Sequence, residues 1–184
     1  MTSVHNTLKK VHHRRKPRLY VALFPTGITD NEELSSYDWS FLIGPKDENK
    51  PHVPGMQLRI RKVAQLWVLE ELVVDDVRNT GSLAVRVLIA KIRDKSRLVQ
   101  LIKDVHRVQD DDTWNTRSWI ADVLNAMATT GGVVGRSVLN WPLVDARARQ
   151  YVADKIAAGR YAGPQDPTAP RPTWDLIDDK EIAP

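Results

Sequence analysis

The chain has 184 residues, 42% of them hydrophobic and 27% charged, which suits one domain with a real core and leaves too little for two. With no cysteine there is no disulfide, no thiolate metal site and no thiol nucleophile. The net charge of +4 is a property of the N-terminus, because Lys9, Lys10, Arg14, Arg15, Lys16 and Arg18 have no acid among them and the rest of the chain is net negative.

Residues 1–17 accordingly read as a basic disordered arm, and the charge pattern argues against a nucleic-acid partner for the domain that follows. No apolar stretch approaches the roughly 18 residues of a membrane span, and the richest window, LAVRVLIAKI, carries Arg86 and Lys91. The N-terminus lacks an apolar signal region, so the expected location is cytoplasmic.

From Arg18 the chain starts with strands. RLYVALF (18–24) is rich in β-branched and aromatic residues and ends at Pro25-Thr26-Gly27. DWSFLIG (38–44) stops at Gly44-Pro45, and 45–55 reads as a proline-rich loop. MQLRIRK (56–62) sets Met56, Leu58 and Ile60 on one face against Gln57, Arg59 and Arg61 on the other. QLWVLEEL (65–72) is its hairpin or meander partner, and SLAVRVLIAKI (82–92) a long, mostly buried strand.

After Asp94, placed as an N-cap, the period becomes helical at Leu98, Leu101, Ile102 and Val105. Ile120, Val123, Leu124 and Met127 repeat that spacing up to Thr129-Thr130-Gly131-Gly132, and a third helix runs from Pro142 to Gly159. The order predicts an α+β domain over 18–160, a mainly antiparallel sheet with helices on one face, followed by a proline-rich C-terminal tail over 161–184.

Chemistry is sparse. The five histidines sit in the arm, a loop and a helix end, so no metal site is expected. The acids Asp110–Asp112 read as negative charge near a helix start. TTGGVVGRS lacks the Lys-Ser/Thr ending of a phosphate loop, so no nucleotide cofactor is expected, nor any other cofactor. The six tryptophans against two phenylalanines are the unusual feature. Each alone reads as core; as a set, Trp39, Trp67, Trp114 and Trp119 suggest the lining of a cavity for a hydrophobic small molecule, with Asn115 beside them.

The strands YDWSFLIGPKDE, GMQLRIRK and LAVRVLIAKIRD, followed by WNTRSWIADVL, resemble a family of small, largely uncharacterised proteins of filamentous fungi over residues 18–128. Those proteins carry Tyr-His-Trp at Tyr37-Asp38-Trp39, Trp-Asn-Cys at Trp114-Asn115-Thr116, and often a His at Arg59. The resemblance implies a circularly permuted papain-like fold, related in plan to NlpC-type hydrolases and lecithin:retinol acyltransferase. In that plan a strand His activates a Cys at a helix N-terminus.

All three positions differ here. An alcohol with a carboxylate neighbour of pKa about 3.9 does not replace a thiolate–imidazole pair, so thiol-type hydrolysis is not expected. Asp38 and Arg59, on neighbouring strands, are expected to pair, either to orient a carbonyl or carboxylate or as a plain structural ion pair, with Thr116 capping the helix and lining a pocket. Two functions follow from the resemblance. One is a cofactor-independent, shape-directed cyclisation of a polyketide or terpenoid, a pericyclase with Arg59, Thr116 and Asp38 as its catalytic residues. The alternative is a non-catalytic ligand-binding or protein-interaction relative of a thiol hydrolase.

Overall fold

A computed structural model describes residues 16–27 and 36–184. The basic arm expected over 1–17 therefore lies outside the described residues, apart from Lys16 and Pro17. One eight-stranded sheet organises the chain. Its first five strands are β1 (Arg18–Pro25), β2 (Tyr37–Gly44), β3 (Gly55–Val63), β4 (Leu66–Val74) and β5 (Val85–Ile92). Helices α1 (Lys95–Asp104) and α2 (Thr116–Thr130) follow, then β6 (Val134–Ser137), α3 (Trp141–Ala157), β7 (Thr173–Asp175) and β8 (Lys180–Ala183). The spatial order is β4-β3-β2-β1-β5-β7-β8, with β6 also on β5, and the β5–β7 pair alone is parallel. The fold is thus α+β on an open, mainly antiparallel sheet.

Strand alternation sorts the side chains. Leu19, Val21 and Leu23 of β1 join Trp39, Phe41 and Ile43 of β2 and Leu58 and Ile60 of β3 in one core. Leu98 and Ile102 of α1, Ile120, Val123 and Leu124 of α2, and Val144 and Ala148 of α3 enter the same core, so all three helices cover one face. Each such fully buried aliphatic side chain contributes about 1.5–3 kcal/mol, which makes this face the main source of stability. Alternate residues Tyr20, Ala22 and Leu42 face the other side with Leu83 and Leu88.

That second face is covered by loops, which approach the sheet closely. A Cβ on Gly55 would stand 2.3 Å from the Ile43 carbonyl oxygen and 2.3 Å from Val77, so only glycine lets the 75–84 loop lie down on β2 and β3. Beneath it a polar knot is buried. The Arg86 guanidinium, on β5, donates to Glu48 Oε1 at 2.9 Å and also to Oε2, and to Thr173 Oγ1 at 2.9 Å, and it lies 4.4 Å from the centre of the Tyr20 ring. The Tyr20 hydroxyl donates to Glu48 as well, at 2.9 Å.

Helix ends obey their local chemistry. Asp94 accepts from Arg97 N–H at 3.0 Å to start α1, Asn140 accepts from Leu143 N–H at 3.0 Å to start α3, and Gly131 at φ +67 ends α2. No helix among the described residues is long and apolar enough to cross a membrane.

Two segments depart from the sequence expectation. Residues 173–175 and 180–183, expected within a proline-rich tail, are strands of the sheet. Their prolines precede the pairing: Pro172 lends its carbonyl to Arg86 N–H at 3.0 Å, and β7 then runs beside β5. VGRS, given no element in the sequence reading, forms β6 against the other end of β5.

Candidate functional site

The segment TWNTRSW is a turn followed by the first turn of α2. Asp111 Oδ1 accepts from the Thr113 N–H at 2.8 Å and from its hydroxyl at 2.6 Å, which holds the Asp111 carboxyl below the usual range. The N-cap is Asn115, whose Oδ1 accepts from Arg117 N–H at 2.9 Å and Ser118 N–H at 3.2 Å. Thr116, expected as the cap, is instead the first helical residue. Its buried Oγ1 accepts the Trp39 N–H at 3.1 Å.

That contact has a cause in the sheet. β2 pairs with β3 only through Phe41–Ile43 against Met56–Leu58, although β3 continues to Val63. Before Phe41 the two strands part, and with no β3 residue opposite Trp39 the α2 N-terminus supplies its acceptor. Thr116→Val therefore orphans a buried N–H and should cost about 1–3 kcal/mol in a urea melt, whereas Thr116→Ser, which keeps the acceptor, should cost under about 1 kcal/mol.

Where the strands part, a cleft of about 330 Å³ opens. Asp38, Ser40, Gln57, Arg59 and Arg61 line it, with Thr80 and Ser82 on the facing loop. At its inner end Gln57 Nε2 donates to Ser40 Oγ at 3.1 Å. By alternation Asp38 and Arg59 belong to the loop-covered face, whereas Thr116 comes from the helix side, and no hydrogen bond joins it to either.

The expected Asp38–Arg59 ion pair is not formed. Arg59 binds Glu70 instead, through Nε at 2.9 Å and Nη2 at 2.8 Å, and Arg61 binds the other oxygen of the same carboxylate. The reason is register: the β3–β4 hairpin sets Arg59 directly opposite Glu70. Hydrogen bonds from Arg61 and Arg59 hold the Glu70 carboxyl below its ordinary value. Partial burial pushes the Asp38 carboxyl up, and the charge of Arg59 offsets this only in part.

The tryptophans pack in edge-to-face pairs. Trp39 meets Trp141 at 5.6 Å, Trp67 meets Trp114 at 5.8 Å, and Trp119 meets Phe41 at 5.4 Å. Trp114 also donates its indole N–H to Asp122 at 2.9 Å. Trp39, Trp114 and Trp119 are buried in the main core, so the expected aromatic lining is core packing; of the set, Trp39 borders the cleft. Tyr37 and Tyr161 line a second opening. With Leu83 and Ile156 they bound a hollow of about 400 Å³ that shares Pro25 and Ser82 with the cleft. Pattern reading missed this hollow because its walls come from four distant parts of the chain. Among the described residues no three His, Asp or Glu side chains converge to hold a metal ion.

A family model described as a family of unknown function (DUF6914) matches residues 16–183. DNA polymerase I of Mycobacterium bovis and of Mycobacterium tuberculosis is 28% identical over 153 residues, covering 68% of this chain and 17% of the polymerase. The chain thus spans 17% of the length of the curated relatives it matches. No solved structure matches significantly.

Proposed function

The chain belongs to that family of unknown function, and we propose that it is a non-catalytic binding domain for a hydrophobic small molecule, built on a permuted papain-like scaffold whose nucleophile position has become structural. The observation that carries this reading is the cleft between β2 and β3 and its junction, through Pro25 and Ser82, with the hollow beneath Tyr37 and Tyr161. Together they give a small ligand a polar end and an apolar end, as binding sites commonly do.

Against the cyclisation reading stand the engagements of its three residues. Thr116 already accepts the Trp39 N–H, and Arg59 is held by Glu70. Asp38 is a weak base that forms no hydrogen bond with Thr116. The likeness to DNA polymerase I covers too little of that enzyme to bring nucleotide chemistry with it.

The test is retention. Purified protein is mixed with an organic extract of its source organism, passed over a sizing column and analysed by mass spectrometry. A binding domain retains a hydrophobic compound at up to one equivalent, and Ile156→Trp, which fills the hollow from an exposed position, abolishes retention. A compound converted in amounts far beyond one equivalent would restore the cyclase reading. If nothing is retained, small-molecule binding fails and the protein-interaction form of the alternative takes its place.

A further inference from the structure

Resting on that binding reading, the geometry points to the chemistry of the ligand's head: an anionic group, carboxylate or phosphate, held between Arg59 and Arg61 while its apolar tail lies in the Tyr37–Tyr161 hollow. Two guanidiniums here share one carboxylate. Arg59 uses Nε and Nη2 on Glu70, and Arg61 uses Nε. Their remaining N–H groups have no other carboxylate partner among the described residues, and both side chains are about half exposed at the cleft, 42% and 54%. Arginine's planar fork suits an oxyanion, so the cleft presents donors already oriented by Glu70. The two sides of the ladder differ: Glu70 organises the guanidiniums and also competes for them.

The facing wall fits the same ligand. Thr80 and Ser82 offer hydroxyls across the cleft from the arginines. Among the described residues the Asp38 side chain has no hydrogen-bond partner, and as an acceptor it disfavours a bare anion but favours one with an adjacent O–H or N–H donor. A β-hydroxy acid matches this pattern better than a plain fatty acid. The hollow of about 400 Å³ is walled by Tyr37, Leu83, Ala84, Ile156 and Tyr161, and its Arg171 already donates to Gln165 and Asn79, so the cleft arginines set the order of head and tail.

The experiment is fluorescence titration of the full chain with dansyl-undecanoic acid and with its methyl ester, which has the same tail and no charge. The acid should bind at least about ten-fold more tightly than the ester, equivalent to about 1.4 kcal/mol. Arg59→Gln combined with Arg61→Gln should erase that preference without altering ester binding. Glu70→Gln, which removes the internal competitor, should tighten acid binding several-fold, a gain that a merely structural role for these arginines does not produce. β-Hydroxydecanoate should displace the probe at lower concentration than decanoate, and comparison with decyl phosphate identifies the preferred oxyanion.

Equal binding of acid and ester, with both lost in Ile156→Trp, overturns the head-group assignment and leaves the cleft reading standing. If neither probe binds to the folded protein, both fall.

Discussion

Replacing Glu48 with alanine is expected to lower folding stability by about 3–5 kcal/mol, measured by urea denaturation, because it strands a charge inside the loop-covered face. The Arg86 side chain is 2% exposed and among the described residues has one carboxylate partner, Glu48, which itself is 18% exposed. Without Glu48 the guanidinium keeps Thr173 Oγ1, a weak 3.4 Å contact with the Val77 carbonyl and the Tyr20 ring, none of which neutralises it. The Tyr20 hydroxyl loses its acceptor in the same step. A second substitution separates pair strength from desolvation: Glu48→Ala with Arg86→Met should recover much of the loss, since an apolar side chain of similar length has no charge to strand. The knot also links four segments distant in sequence, β1, the 45–54 loop, β5 and β7. Glu48→Ala should therefore speed hydrogen exchange in β7 and β8 before it affects α2, because Thr173 of β7 binds Arg86 directly and α2 contributes no residue to the knot.

This knot illustrates what the sequence could and could not disclose. Period-2 alternation in β3 and the 3.6 period in α1 and α2 are local and were legible, as was Asp94 as a cap. The Arg59 partner was not, although it depends on one local fact. A two-residue turn at Ala64–Gln65 sets Arg59 opposite Glu70, but both turn residues have positive φ, +46 and +67, where Asn or Gly is usual. Without that turn signal, Asp38 on the preceding strand looked the nearer partner. The β7–β8 pair was hidden for another reason. Prolines at 164, 167, 170 and 172 mark an irregular approach, and the short strands after them exist only because β5 offers a free edge. In TWNTRSW, two adjacent residues could each have capped α2. Asn115 takes that role because Thr116 is drawn to Trp39, a contact between residues 77 apart in sequence. The cleft itself is a consequence of where two strands stop pairing, which no motif encodes.

Asp145→Ala tests whether the helix layer holds that cleft in shape. Asp145 is 8% exposed on α3 and binds Arg117 of α2 through both oxygens, at 2.6 and 2.7 Å, while Arg149 reaches it at 3.2 Å. Its hydrogen bonds raise the Arg117 pKa above its ordinary value, which keeps the guanidinium charged. Removing the carboxylate leaves two arginines side by side, but Arg117 is 26% and Arg149 34% exposed, and water offsets part of the loss. The expected cost is about 2–3 kcal/mol, below that of Glu48→Ala for this reason. Asp145→Asn, which keeps one acceptor, should fall between the variant and wild type. The consequence reaches beyond stability. Arg117 also lies 5.5 Å from the Trp141 ring, and Trp141 packs on Trp39, the residue whose N–H Thr116 accepts. Freed from α3, the α2 N-terminus loses one of its anchors near the divergence of β2 and β3. Tryptophan fluorescence should shift to the red before global unfolding in Asp145→Ala. The same should hold, more weakly, in Thr116→Val, and a double-mutant cycle between them should show coupling above about 0.5 kcal/mol. Strict additivity would mean that the two contacts hold α2 independently, and that the cleft owes its shape to the sheet alone.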